Sequence, residues 1–360
     1  ALKAKAGISG PDVTKVSGAF AIGSSPYEFE GSMLNILPAA SELLLGARNL
    51  AAAAPTAAPD PGPILDKLVN APVVRFEVTG RSFDARPYQK PSRGAPGTAQ
   101  ASNAGAQSPP AAKSGGAAAA VLFLKNTSFS AKLDSVIARE AIFTKLDAKG
   151  TIRDGRVRVE PATFAYAGGR GTAVVSSALR TAKRVETKVD LSADGVQAGQ
   201  ALSRLHALGS LVQGAFSVKS SASATTGPGI NPLMVLTATG LALSSKGTVS
   251  IERFIEPLTK IQGFDVTPFR QFDFREWTGN FYVKDGRFTT DDWKIKSSRG
   301  DWAIKGSFGF NGTLDYAVHV VIPPDVQRLM KDVDRYKGIF DLMRDQSGNL
   351  VLDMKIGGTT

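Results

Sequence analysis

Between Lys125 and Leu179 apolar and polar residues alternate, and tight-turn dipeptides break the alternation at short intervals. Phe129, Ala131 and Leu133 share one parity, as do Val157 and Val159 after Ile152. A period of two marks a strand with one buried and one wet face. Asp154-Gly155 stands between Gly150-Thr151-Ile152 and Arg156-Val157-Arg158-Val159. An Asp-Gly pair flanked by alternating segments is the strongest short-range hairpin signal, because glycine takes positive φ without steric cost. A second reversal at Gly168-Gly169 leads into Thr172-Ala173-Val174-Val175. The stretch reads as an antiparallel meander.

The same phrase returns later. Gly279-Asn280-Phe281-Tyr282-Val283-Lys284-Asp285-Gly286-Arg287-Phe288 again places Asp-Gly-Arg-apolar after a glycine and a short strand. It continues through Trp293, Ile295, a turn near Arg299-Gly300, then Trp302, Ile304, Gly306, Phe308 and Phe310. A repeated hairpin unit predicts a sheet that grows by accretion.

These phrases resemble the AsmA-like C-terminal region of Gram-negative envelope proteins, relatives of TamB and YhdP. The likeness rests on Leu124-Lys125-Asn126-Thr127-Ser128-Phe129-Ser130-Ala131-Lys132-Leu133, on Leu146 to Val157, and on Tyr166-Ala167-Gly168-Gly169. It extends to the second Asp-Gly-Arg phrase and to the closing Asn349-Leu350-Val351-Leu352-Asp353-Met354-Lys355-Ile356-Gly357-Gly358-Thr359. It covers the chain from about Val121 onward and is weaker before Pro87. The resemblance implies an extended, curled antiparallel β-sheet, groove-like or taco-like, capped by short helices. It also implies a periplasmic protein, held to the inner membrane by an N-terminal anchor outside this sequence. Its expected ligand is phospholipid or another envelope lipid, carried between inner and outer membranes or controlled in the outer membrane.

Composition narrows the field. Charged residues make up 21% and apolar ones 42%, as in a globular chain. Lys and Arg number 43 against 32 Asp and Glu, an excess of 11 positive charges that suits an anionic partner such as a membrane surface. The basic residues are scattered instead of clustered with aromatics, so no nucleic-acid partner is expected. There is no cysteine, which excludes disulfides, thiolate metal sites and a cysteine nucleophile. No apolar run reaches the roughly 18 residues of a membrane-spanning helix. Ala1-Leu2-Lys3-Ala4-Lys5 leads into no apolar run of the signal-peptide kind, so the chain reads as a piece of a longer protein.

In chain order, residues 1–89 read as a β-rich segment interrupted by a helix. Ala19 to Ile22 and Tyr27 to Glu30 are strands around a turn at Gly23 to Pro26, and Val73 to Val78 is another. Leu34 to Ala54 is Ala- and Leu-rich at helical spacing and reads as a helix that plugs or caps the sheet. Pro55 to Pro63 is a connector, and Ile64 to Leu68 a short helical turn. Residues 90–120 are Pro-, Gly-, Ser- and Ala-rich and too poor in bulky apolar residues to offset ordering entropy, a flexible linker. Residues 121–360 form the AsmA-like β region.

Within that region Val185 to Leu191 and Gly214 to Val218 are expected strands. Gly195 to Leu208 is an expected helix with Asp194 as its N-cap, and Ser220 to Pro232 a polar loop. Helices are also expected over Glu252 to Ile261 and over Asp325 to Met343, for about five in all. Leu314 to Ile322 is a strand stopped by Pro323-Pro324, and Leu350 to Ile356 is the last strand.

Signs of catalysis are sparse, and no enzyme activity is expected. The only histidines, His206 and His319, have no carboxylate or second histidine at a motif spacing. No serine stands in a nucleophile elbow, and Gly168-Gly169-Arg170-Gly171 lacks the phosphate-loop lysine. Asp285, Asp291 and Asp292 match no cation-loop pattern, so neither metal nor cofactor is expected. What remains is an apolar face. Its candidate lining is Phe281, Val283, Phe288, Trp293, Ile295, Trp302, Ile304, Phe308, Phe310, Tyr316, Val318 and Val320. Partly covered, this face is a trough for acyl chains; fully covered, it is the core of a β-sandwich. The rival function is an assembly factor whose sheet edges pair with strands of outer-membrane proteins.

Overall fold

The computed structural model describes residues 2–8, 13–22, 25–34, 73–85, 125–138, 141–181, 184–203, 211–251, 270–328 and 337–359. These residues are mainly antiparallel β, built by hairpins that follow the order of the chain. Three short helices accompany the strands among the described residues. The expected helices at Leu34 to Ala54 and Glu252 to Ile261, the linker at 90–120 and His206 lie outside the described residues, apart from Leu34 itself, which ends a strand.

The chain divides into two compact units. The first comprises Ala1–Phe164, Ala173–Val189 and Thr225–Asn231. Its strands are β1 (Leu2–Ile8), β2 (Val13–Ile22), β3 (Ser25–Leu34), β4 (Val73–Asp84), β5 (Asn126–Ala138) and β6 (Ala141–Arg153), with parts of β7 (Arg156–Tyr166), β8 (Gly169–Thr181) and β9 (Arg184–Gln197). β1 to β4 pair antiparallel in turn, but β4 and β5 run parallel, Phe76 beside Phe129. A parallel pair cannot be joined by a tight turn, and residues 85–125 separate the two strands in sequence. β5 and β6 return to antiparallel pairing, and Asp154-Gly155 turns the chain into β7 as the sequence predicts.

The second unit comprises Ala165–Thr172, Asp190–Ala224 and Pro232–Thr360. It holds the β7–β8 turn, the end of β9, α1 (Ala198–Leu202), most of β10 (Val212–Thr226), β11 (Thr237–Ser244), β12 (Gly247–Ser250), β13 (Gln271–Lys284), β14 (Arg287–Ser297), β15 (Gly300–Gly309), β16 (Thr313–Ile322), α2 (Pro324–Gln327), α3 (Lys337–Leu342) and β17 (Leu350–Thr359). β13 to β17 form an unbroken antiparallel meander.

Two expectations fail here for local reasons. β9 continues through Asp194 to Gln197, so the expected helix begins only at α1, without a side-chain cap, and its expected residues 204–208 lie outside the described residues. Asp194 instead accepts a hydrogen bond from the Ser217 hydroxyl on β10. The expected loop after Ser220 is strand as far as Thr226, because small Ser, Ala and Thr side chains still alternate and the Thr237–Leu243 stretch of β11 pairs with residues 217–223.

An aromatic ring opposite a glycine recurs in both units. Tyr27 lies over Gly80 and Phe129 over Gly150 in the first unit. Phe281 lies over Gly240, Phe274 over Gly247, Trp293 over Gly279 and Tyr316 over Gly306 in the second. A methyl group on Gly150 would lie 2.6 Å from Phe129 Cζ, so the ring fills the space that a side chain would take. Such rings lie flat on the sheet and shield the backbone that glycine leaves bare.

Candidate functional site

In the second unit the lining residues named from the sequence fall on one face. Cross-strand partners set them in rows: Trp277, Ile295, Trp302, Val320 and Leu352; then Trp293, Ile304, Val318 and Met354; then Val283, Phe288, Phe308 and Leu314. Tyr316 pairs with Gly306 and Ile356 between the last two rows. Phe310 is the exception. It sits in the turn beyond β15, its N–H donating to Gly286 O, and is 39% exposed.

Two bulges keep these residues in phase. Phe272 and Phe274 face inward, a register shift follows between Phe274 and Glu276, and Trp277, Gly279, Phe281 and Val283 then take the inner parity. The second shift, between Thr290 and Trp293, contains Asp291-Asp292. The Asp292 carboxylate accepts from the Asn280 main chain at 2.7 Å and from Asn280 Nδ2 at 2.6 Å, fastening the bulge, while Asp291 lies 3.9 Å from Lys305 Nζ on β15. Among the described residues no cluster of three metal-ligating side chains exists.

The face changes character along the strands. At one end Phe272, Phe274, Trp277, Ile295, Trp302, Val320 and Leu350 are buried beneath Val326 of α2 and Phe340 of α3. Val320 is 1% exposed, Ile295 2% and Trp302 7%. Phe272 stacks on Trp302 with centroids 4.8 Å apart, and the Trp302 indole N–H donates to Ser297 Oγ at 3.2 Å. Gln327, buried on α2, donates from Nε2 to Ile322 O at 2.9 Å and Gly348 O at 3.0 Å.

Toward the Asp285-Gly286 turn the cover thins. Phe281, Phe288, Phe308, Leu314, Tyr316 and Ile356 are half-buried. Phe281 stacks on Phe288 at 5.4 Å, and Phe288 meets Trp293 edge-on at 5.6 Å. Met234, 52% exposed, overlies Gly286 at the rim. Burial pushes the Tyr316 phenol above its ordinary value, partly offset by the nearby Arg287 charge. Arg287 itself donates to the hydroxyls of Ser307, at 2.7 Å, and Thr313, at 3.0 Å. The indole N–H groups of Trp277 and Trp293 are buried without a hydrogen-bond acceptor among the described residues; the two rings meet edge-on at 5.4 Å.

The first unit carries an apolar face of the half-buried kind. Phe76 stacks on Phe129 at 6.0 Å, and Phe29, Val78, Leu133, Leu146 and Ile152 share partial exposure. Among its described residues few apolar side chains, such as Tyr27 and Val74, are buried.

Sequence reasoning missed Phe272, Phe274 and Trp277, three buried aromatics of this face, because the bulge at Arg275 splits their alternation. It also missed the partner of His319. Across the β16–β17 ladder His319 Nδ1 and Asp353 Oδ1 lie 2.8 Å apart on the exposed face, a pairing that no local spacing announces. Among the described residues no helix is long and apolar enough to cross a membrane. Comparison of the chain with family models, with curated proteins and with solved structures finds no match.

Proposed function

We propose that this chain binds lipid acyl chains along its apolar sheet faces, as a periplasmic, AsmA-like element of phospholipid transfer between inner and outer membranes or of outer-membrane maintenance. The observation that carries the reading is the row of half-buried residues from Phe281 to Tyr316, a broad apolar surface left partly open to solvent in a folded unit. Each CH₂ that a ligand buries there contributes about 0.8 kcal/mol, so acyl chains are held without a polar anchor. Flat aromatic rings offer contact without deep side-chain pockets, which suits a chain that slides. The proposed function needs no catalytic group, metal or cofactor. The excess of positive charge favours anionic head groups at the surface.

The test is native mass spectrometry with lipid extraction on the purified chain. Trp302 and Val318 are core residues, so the informative variant is Phe308→Glu with Tyr316→Glu at the half-buried end. Phospholipid bound to the wild type and lost from a folded double variant supports the reading. Absence of lipid from the gently purified wild type sinks it and leaves strand pairing with an outer-membrane protein as the rival.

A further inference from the structure

The last strand ends the meander with one long side open. β17 pairs with β16 from Leu350 to Thr359, and among the described residues no strand pairs with its other side. Only its first residues are engaged there: the Val351 N–H donates to Met343 O at 2.9 Å, and Arg344 bridges Leu350. That bond fixes the polarity of the edge. If the N–H of Val351 points away from β16, so do the main-chain groups of Asp353, Lys355 and Gly357, because ladder bonds alternate sides along an antiparallel strand. The groups of Leu352, Met354 and Ile356 belong to the β16 ladder.

We propose that this edge pairs with the same edge of a second copy, antiparallel, about a two-fold axis through Met354. Edge polarity allows only pairings in which the odd-numbered residues face one another. Within that set, an axis at Asp353 would set Asp353 against itself, and an axis at Lys355 would do the same for lysine. The axis at Met354 sets Asp353 opposite the second copy's Lys355, and Lys355 opposite its Asp353. Each position exchanges both main-chain hydrogen bonds and matches opposite charges. Both side chains project from the sheet, 80% and 81% exposed, with His319 and Asp315 as their partners within the chain. On the other face Leu352 meets the second Ile356 and Met354 meets Met354, so the apolar row continues across the junction. The Met343–Asp345 segment bounds the ladder at Leu352, and what reaches that boundary from the second copy is Gly357-Gly358, which has no side chains to clash. The surface is self-complementary in shape, ladder and charge, as a two-fold contact requires.

The absence of cysteine gives a clean test on the whole chain. At the axis Met354 forms a non-hydrogen-bonded pair with its own copy, Cα atoms about 4.5 Å apart, within disulfide reach. Met354→Cys is therefore expected to give a disulfide dimer under mild oxidation, whereas Leu352→Cys, opposite Ile356, remains uncrosslinked. Equal crosslinking of both, or of neither, overturns the proposal. Sedimentation provides the second arm, for variants whose circular dichroism matches the wild type. Asp353→Lys alone is expected to weaken dimerisation at least about tenfold, and so is Lys355→Asp alone. The double exchange is expected to restore it. A wild type that stays monomeric at high concentration, or a double exchange no better than either single change, overturns the proposal as well.

Discussion

The two ends of the apolar face in the second unit share strands and residue types but not cover. Trp302 and Phe308 lie on the same strand and the same face, yet Trp302 is buried in one cluster with Val326 of α2 and Phe340 of α3 while Phe308 stays half-open. The difference lies in what the neighbouring chain supplies. At the Trp302 end, Pro323 ends β16 and α2 folds back, seating Val326 on the sheet, and Phe340 of α3 joins it. Near Phe308 the chain turns tightly through Asp285-Gly286 and Asn311-Gly312 and supplies no second layer among the described residues. The lesson is that an alternating strand specifies an apolar face but not its lid. One face serves as core where a helix covers it and as a surface where none does.

Truncation at each end measures that contrast most directly. Trp302→Ala is expected to lower the stability of the second unit by about 3–5 kcal/mol in urea denaturation, against about 1–2 kcal/mol for Phe308→Ala. Equal losses would erase the distinction. A methyl group at Gly279 would lie 2.7 Å from Trp293 Cα, so Gly279→Ala forces the backbone apart and is expected to cost about 1–3 kcal/mol, read from the same curves. Trp293→Phe keeps an aromatic ring, though a smaller one, and deletes an N–H that has no acceptor among the described residues. It is expected to change stability by less than about 1 kcal/mol, in either direction, although the residue is large and half-buried.

The smallest effect is a pH dependence. The Asp345 carboxyl is held below the usual carboxylate range first by the Asn349 side chain, which donates at 2.9 Å, and then by the main-chain N–H groups of Asn349 and Ser347. A depressed value means that the stabilisation is present above the unfolded-state value and is lost as pH falls through the folded one. Asp345→Asn should flatten the acid limb of a melting-temperature profile while leaving the neutral region nearly unchanged. An unaltered acid limb would show that the turn does not contribute.

Most of the strands were legible because their signals are local. Asp154-Gly155 and Asp285-Gly286 turn where the dipeptides say, with positive φ at all four residues. Pro323-Pro324 stops β16 as expected, and Val73, Leu314 and Leu350 lie at or beside strand starts. What escaped depends on partners distant in sequence. Ser220 to Thr226 carry loop-like composition and become strand because β11 offers a ladder. Asp194 sits where a helix cap is plausible and is held in β9 instead, facing Ser217. The parallel β4–β5 pair joins strands far apart in sequence, which no dipeptide encodes. In the face itself the parity from Phe281 onward was readable, but the bulges that align it with Phe272 and Phe274 were not. Phe310 kept the parity of β15 while the strand had already ended. Whether the face is closed or open was illegible, since that depends on where α2 and α3 settle.

The rings that lie across glycines have a consequence for how the backbone meets solvent over time. A glycine in an uncovered sheet would leave its own and its neighbours' amides open to water, but beneath Phe129 or Tyr316 those amides are roofed by the opposite strand's own side chain. Amide hydrogen exchange should then not fall off smoothly from the helix-covered end. Slow-exchanging stripes are expected wherever a ring crosses a glycine, including stretches without a second layer.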